Sequence, residues 1–420
     1  IIKNFIFPFR VINEKNLEIY NQELKYREAI LKNDLVLKKF LFDIYFFNEQ
    51  NLIDLGFADL KIYSSEPQIL AGIQRPEPGS AYIEYYKDEL YLLSSIGIFA
   101  KAKVENKNLV FKQIENNIGK FINEKHFRKT DKISARFQNS WPYGIWFSIK
   151  DLKIFNERVY VSFTDEIKED CWNTSVISAN LNSEKLDFKY VFKPKDCANA
   201  ITNVDNEFNA FQSGGRIVDY DENNILLSVG DYRLRSNAQN KKSSLGKILK
   251  INLNGEFKPI SMGHRNPQGL LIDKTNKFVL ATEHGPRGGD EINLINLERN
   301  SLPNYGWPIS SYGVHYTSTA KKNKKYPLHK SHKDHGYIEP LKYFTPSIGI
   351  SEILKVGDNK FFGTALNGTM YKFDIQNKNE IVNFSSVKIP QRIRDATLKN
   401  EKEIFIYLET TASIGLLRLK

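Results

Sequence analysis

Four stretches of this 420-residue chain gather side chains that can do chemistry. In Gly263-His264-Arg265-Asn266-Pro267-Gln268-Gly269, Arg265 and Asn266 offer planar donors within a turn. A guanidinium there can pair two oxygens of an anionic or quinone ligand at once. The second stretch runs Glu283-His284-Gly285-Pro286-Arg287-Gly288-Gly289-Asp290-Glu291 and is followed by Asn304-Tyr305-Gly306-Trp307-Pro308. Its Gly285-Pro286 turn is rich in carbonyls and poor in side-chain bulk. With Asp290 and Glu291 it suits a hard cation such as Ca²⁺, which takes carbonyl and carboxylate oxygens. The third is Ser213-Gly214-Gly215-Arg216, and the fourth is Gln391-Arg392-Ile393-Arg394-Asp395. On a strand, Arg392 and Arg394 fall on one side, where two guanidiniums would meet a polycarboxylate. Taken singly, each stretch reads equally well as a tight turn with surface salt bridges.

The elements that must position these residues are strands. Aromatics make up 13% of the chain, and Val, Ile, Tyr and Phe recur in short runs, which favours β structure. A unit of two β-rich runs repeats six times: Glu89–Leu93 with Ile98–Val104, Arg158–Phe163 with Ser175–Leu181, and Asn224–Val229 with Lys247–Leu253; then Lys277–Ala281 with Glu291–Leu297, Lys360–Ala365 with Thr369–Ile375, and Glu403–Leu408 with Gly415–Leu419. Strand pairs repeating at tens of residues predict a propeller of six blades, with ligands at one mouth of its channel. An irregular β-sandwich is the alternative. Residues 76–420 are assigned to the propeller. Residues 1–75 are read as a helical extension, because Leu17, Tyr20, Leu24, Leu31, Leu35 and Leu41 recur at roughly helical spacing between Glu14 and Phe47. Pro76, Pro78 and Gly79 mark the boundary.

The net charge of +11 is spread over scattered lysines, and the dense cluster Lys321 to Lys325 reads as a solvated loop. No nucleic-acid partner is expected. No apolar run approaches the ~18 residues of a membrane span. Cys171 and Cys197 stand either as two free thiols or, in an exported protein, as one disulfide.

Together the four stretches, with the run from Ala238 to Ile251, resemble the soluble pyrroloquinoline-quinone (PQQ)-dependent sugar dehydrogenases of the glucose/sorbosone dehydrogenase family, especially their aldose sugar dehydrogenase branch. The resemblance covers roughly residues 80–420. It implies an all-β, six-bladed propeller with PQQ at the channel mouth and Ca²⁺ beside it. Arg265 and Asn266 match residues that contact the quinone oxygens, and Arg392 and Arg394 match those that hold its carboxylates. Gly285 and Pro286 match the carbonyls that bind the catalytic Ca²⁺. Glu291 and the Tyr305 carbonyl match ligands of a second, structural Ca²⁺. The implied reaction oxidises the C1 hydroxyl of an aldose to the lactone. A base takes the hydroxyl proton, hydride passes to the quinone, and Arg265 stabilises the developing oxyanion. The implied partners are a small-molecule sugar and an unidentified electron acceptor. The implied location is periplasmic or extracellular, with a removed segment before Ile1 as one means of anchorage.

The chain departs from the family at the base, a His in the form His-x-Gly-Gly-Arg. Here Gln212 takes that position without a gap and Phe211 takes it with one inserted residue. Neither accepts a proton near neutral pH. Asn367 stands where the family has a Lys near PQQ. The early Gln contact falls near Gln138 or Asn139. His264 and His315 are candidate replacements for the base, and His284 lies in a matched motif. His329, His332 and His335 have three-residue spacing that could bind a transition metal, but in a Lys-rich loop they are expected to be solvated. Two further readings stay open: a catalytically impaired propeller that binds a sugar, PQQ or a protein, and a hydrolase or lyase using Asp290, Glu291 or Asp395.

Overall fold

The computed structural model describes residues 44–64, 80–94, 97–105, 108–122, 149–202, 205 and 207–420. Four antiparallel strands build each of six blades, the first of each lying innermost. Blade 1 is Ala81–Tyr86, Glu89–Ser94, Phe99–Glu105 and Asn108–Gln113; blade 2 is Ile149–Phe155, Arg158–Lys168, Cys171–Asn180 and Lys189–Phe192. Blade 3 is Gly214–Asp221, Asn224–Val229, Lys247–Asn252 and Phe257–Met262; blade 4 is Pro267–Asp273, Phe278–Glu283, Asp290–Asn296 and Lys342–Phe344. Blade 5 is Ile350–Gly357, Lys360–Ala365, Thr369–Gln376 and Glu380–Lys388; blade 6 is Ile393–Asn400, Glu403–Leu408 and Ser413–Leu419, completed by Ala58–Ser64. The six innermost strands touch in a closed ring around a channel. The six repeated run pairs are the second and third strands of the six blades.

The N-terminal expectation needs correction where it can be seen. Ile44–Asp54 and Ala58–Ser64 are strands, so the described part of the proposed helical extension belongs to the propeller. Ile44–Asp54 pairs with Asn108–Gln113 of blade 1 through its first half and with Ala58–Ser64 through its second. The rest of the Glu14–Phe47 pattern, the Pro76–Gly79 boundary and Gln138 with Asn139 lie outside the described residues.

The core lies between blades rather than within them. Val218, Leu226 and Ile248 of blade 3 pack with Leu270, Val279 and Ala281 of blade 4. Phe278 and Leu280 of blade 4 pack with Ile353, Phe361 and Phe373 of blade 5. A single sheet has two apolar faces and cannot bury both alone, so the blades must stack. A disulfide joins Cys171 to Cys197 and holds the two-residue strand Ala198–Asn199 against Cys171–Asn180.

Two devices turn these sheets into a platform. In blades 2 to 6 the innermost strand carries a register break near its start: at Ile149/Asp151, Gly214/Ile217, Pro267/Gly269, Ile350/Ile353 and Ile393/Asp395. A bulge there re-aims the extra side chain away from strict alternation. The bulged residues include Lys150, Arg216, Gln268, Glu352 and Arg394. The second device is a hydroxyl on the fifth residue of the second strand. Ser162 donates to the Gly215 carbonyl of the next blade at 2.5 Å, Ser228 to Pro267 at 3.0 Å, and Thr282 to Ser351 at 2.6 Å. Thr364 joins Ser351, which in turn donates to the Ile393 carbonyl at 2.9 Å.

Candidate functional site

The starts of the innermost strands and the loops after the second strands open on the same end of the channel. All four chemical stretches therefore meet there. Arg265 and Asn266 stand at the head of blade 4's innermost strand and are buried. Arg265 Nη1 donates to the His284 carbonyl at 2.8 Å, and the guanidinium lies 5.5 Å from the Trp307 ring centroid. Its backbone N–H donates to Glu283. Asn266 Oδ1 accepts from Gly214 N–H at 3.1 Å and from Gln268 at 3.0 Å, tying it to the Gly-Gly-Arg turn.

Arg392 and Arg394 do fall on one side, but they already share a carboxylate that the sequence reading missed. Arg392 Nε donates to Glu409 Oε2 at 2.9 Å, and Arg394 donates to both Glu409 oxygens at 2.9 and 3.0 Å. Glu409 is buried. Burial works to raise its pKa, but Arg394 and then Arg392 prevail and hold its carboxyl below the usual range. Two guanidiniums thus share one buried carboxylate at the mouth. Asn367 is an exposed turn residue whose Oδ1 accepts from Thr369 N–H at 2.9 Å.

At the proposed cation turn, Asp290 is the organiser. Its Oδ2 accepts from the N–H groups of Ile348, Gly349 and Ile350 at 3.0, 2.7 and 3.2 Å, and its Oδ1 from Gly285 N–H at 3.0 Å. Among the described residues no hydrogen bond is donated to the carbonyl oxygens of Gly285 or Pro286, as a carbonyl site for a hard cation requires. No group of three His, Cys, Asp or Glu side chains among the described residues converges as a metal site, so a cation at this turn would rely on carbonyls.

The second expected cation position is arranged differently. His332, expected to be solvated, is buried, with Nδ1 2.8 Å from the Tyr305 carbonyl and Nε2 3.4 Å from Glu291 Oε1. Burial favours a neutral ring, but the hydrogen bond and charge of Glu291 raise its pKa on balance. As arranged, an imidazole stands between the two groups expected to share the cation, so the residues present do not fit a second ion there. His329 and His335 stack on each other at 3.6 Å. Lys321 to Lys325 lie in a short helix, Ala320–Lys325, rather than a loop, with none of its residues buried.

The base position is empty of bases. Phe211 is 38% exposed, while Gln212 is buried and its Oε1 has no partner among the described residues. Of the histidines, His264 is sealed between Ser261 and Glu283, each at 2.8 Å. His315 meets Arg235 and the Tyr326 carbonyl with its two ring nitrogens. His284 Nε2 lies 2.6 Å from the Ile350 carbonyl.

Below the mouth a cavity of about 320 Å³ runs down the channel, lined by all six innermost strands. At its upper end Arg216 Nη1 lies 2.7 Å from oxygens of Asp151, Glu352 and Asp395. Asp395 also accepts from Ile83 N–H at 2.7 Å. Of the carboxylates named for the hydrolase or lyase reading, Asp290 and Asp395 are thus each engaged in holding strand starts.

A family model described as Glucose / Sorbosone dehydrogenase matches residues 154–418. The chain is 32% identical over 240 residues to the uncharacterized protein slr1608 of Synechocystis sp., covering 49% of this chain and 55% of that protein. It is 28% identical over 225 residues to the aldose sugar dehydrogenase YliI of Escherichia coli, again covering 49% of this chain and 55% of the relative. The chain thus matches about half the length of these curated relatives. By structure it resembles a crystallised glucose dehydrogenase with a TM-score of 0.63 at 19% identity, covering 81% of this chain and 96% of that one. The PQQ-bound aldose sugar dehydrogenase of Streptomyces coelicolor superposes with a TM-score of 0.55 at 16% identity, covering 82% and 99%.

Proposed function

Because the chain belongs to the glucose/sorbosone dehydrogenase family, we propose that it oxidises the C1 hydroxyl of an aldose sugar to the lactone, using PQQ and one Ca²⁺ at the channel mouth. The observation that carries this reading is convergence. Arg265 and Asn266 from one stretch and Arg392 and Arg394 from another come to one mouth, beside the two open carbonyls of Gly285 and Pro286 from a third. That set fits an anionic quinone and a hard cation.

Bound PQQ would supply the two-electron acceptor, and Ca²⁺ would polarise its quinone oxygen. The chain's own residues do the rest. Arg392 and Arg394, oriented by Glu409, would hold carboxylates. Arg265, fixed by His284 and Trp307, would present its guanidinium where negative charge develops, a preorganised donor that needs no rearrangement during reaction. Asn266 would keep the Gly-Gly-Arg turn in register with it. The disulfide supports an extracytoplasmic location, where such bonds persist. No helix among the described residues is long and apolar enough to cross a membrane.

The alternative, a propeller that binds without oxidising, is favoured by one observation: Phe211 and Gln212 cannot accept a proton. Titrating metal-free protein with PQQ and Ca²⁺, then adding aldoses while following cofactor absorbance, separates the two. Sugar-dependent bleaching to the quinol is the expected result. Binding without bleaching supports the alternative. No binding overturns the cofactor assignment.

A further inference from the structure

The proposed oxidation needs a proton acceptor that neither position 211 nor position 212 provides. We infer that Lys150 fills this role, its amine standing at the channel mouth beside Phe211 as the general base for the sugar's C1 hydroxyl. The inference rests on the dehydrogenase reading above.

Lys150 is the extra residue of the bulge between Ile149 and Asp151, at the head of blade 2's innermost strand. The bulge frees it from the alternation that sends Asp151 into the channel toward Arg216. It packs directly on the Gly-Gly-Arg turn: a Cβ added to Gly215 would come within 2.3 Å of the Lys150 Cβ. Its Nζ lies 5.5 Å from the Phe211 ring centroid. Lys150 therefore touches both sides of the turn at which the family base was expected.

The amine also lacks the partners that occupy other buried or half-buried lysines. Lys153 pairs with Glu84, Lys355 with Asp273, and Lys247 donates to three carbonyls. For Lys150 Nζ no carboxylate or hydrogen-bond acceptor is in reach among the described residues. The charged group that acts on it is Arg394, held by Glu409. Burial without a counter-ion, and then the charge of Arg394, lower its pKa to about 7. A neutral amine with an open lone pair is thus available near neutral pH.

The chemistry balances. The C1–H bond breaks and its hydrogen leaves with both electrons for a two-electron quinone acceptor. The O–H bond breaks and its proton goes to Nζ, so the C1–O bond becomes the lactone carbonyl. The resulting ammonium returns its proton to solvent.

The test uses the full chain loaded with PQQ and Ca²⁺, and compares wild type with Lys150→Met and Lys150→Arg. Loss of a general base is expected to lower kcat about 10²–10⁴-fold in both variants, with PQQ affinity by absorbance titration unchanged. Arginine keeps the charge but cannot serve as base, so equal loss in both assigns the effect to the lone pair. Wild-type kcat/KM is expected to fall tenfold per pH unit below about 7, because protonation removes the base, and the variants should lack that limb. Reductive methylation with ¹³C-formaldehyde provides a readout free of cofactor: a methyl resonance missing in Lys150→Met should titrate near 7. Variant rates within threefold of wild type, or a Lys150 resonance titrating above 9, overturn the inference and leave the dehydrogenase reading intact. A wild type that binds PQQ yet bleaches with no aldose overturns both.

Discussion

Glu409 shows how one residue can set the character of the mouth without facing a ligand. Its buried carboxylate orients two guanidiniums that would otherwise repel each other. Replacing it with Gln should destabilise the protein by about 2 kcal/mol, less than the ~3–5 kcal/mol of a fully buried broken pair because Arg392 keeps more than a third of its surface in water. Thermal melts of Glu409→Gln would check this, and PQQ affinity should fall as the two guanidiniums lose their common anchor. The pH dependence follows from the depressed carboxyl. A group whose folded pKa lies below its unfolded value stabilises the fold above the unfolded pKa, near 4.5, and this contribution disappears as pH falls through the folded value. Wild type and Glu409→Gln should therefore converge in stability on the acid side of pH 4. At this scale the sequence was half legible. Arg265, Asn266, Arg392 and Arg394 announced themselves by type and spacing. Glu409, His332 and Lys150 did not, because each matters for residues distant in sequence that the fold brings against it, and no local pattern encodes that.

At the scale of the strand, the bulges and the hydroxyls act together. Ser228 Oγ accepts from Gly215 and Arg216 N–H at 3.2 and 2.9 Å while donating to Pro267 of the next blade. Ser162, Ser228, Thr282 and Thr364 stand at equivalent points, each the fifth residue of a second strand. Ser228→Ala would strand two backbone N–H groups and one carbonyl in the core. The expected cost is about 2–4 kcal/mol, from ~1–3 kcal/mol per unsatisfied group partly relieved by water, measurable by denaturant unfolding. The second and third strands were legible because their apolar runs are long and end in turn signals. The hydroxyl repeat was in plain view, as Ser or Thr inside apolar runs, but its meaning needs the neighbouring blade. The helical expectation failed at Phe47 because the pairing edges of blades 1 and 6 override a short local periodicity.

The whole molecule is a ring whose joints are not alike. Four successive junctions, from blade 2 to blade 6, combine side-chain packing with a hydroxyl bridge. Between blades 6 and 1, Ile44–Asp54 exchanges partners midway, so Asn48 faces Ser64 on one edge and Asn108 on the other. One hydrogen-bonded sheet of nine strands thus runs through both blades. Native-state hydrogen exchange should show Ala58–Ser64 and Ser413–Leu419 opening together with blade 1, as one cooperative unit separate from blades 3 and 4. In elastic terms the ring is a spring welded at one joint and pinned at others. Any flexing that admits a ligand must be taken up by the pinned joints, which places the compliance under Lys150 and Arg265 and the stiffness under Arg392 and Arg394. The side of the mouth that would grip carboxylates is therefore the fixed jaw, and the side that would do the proton chemistry is the moving one.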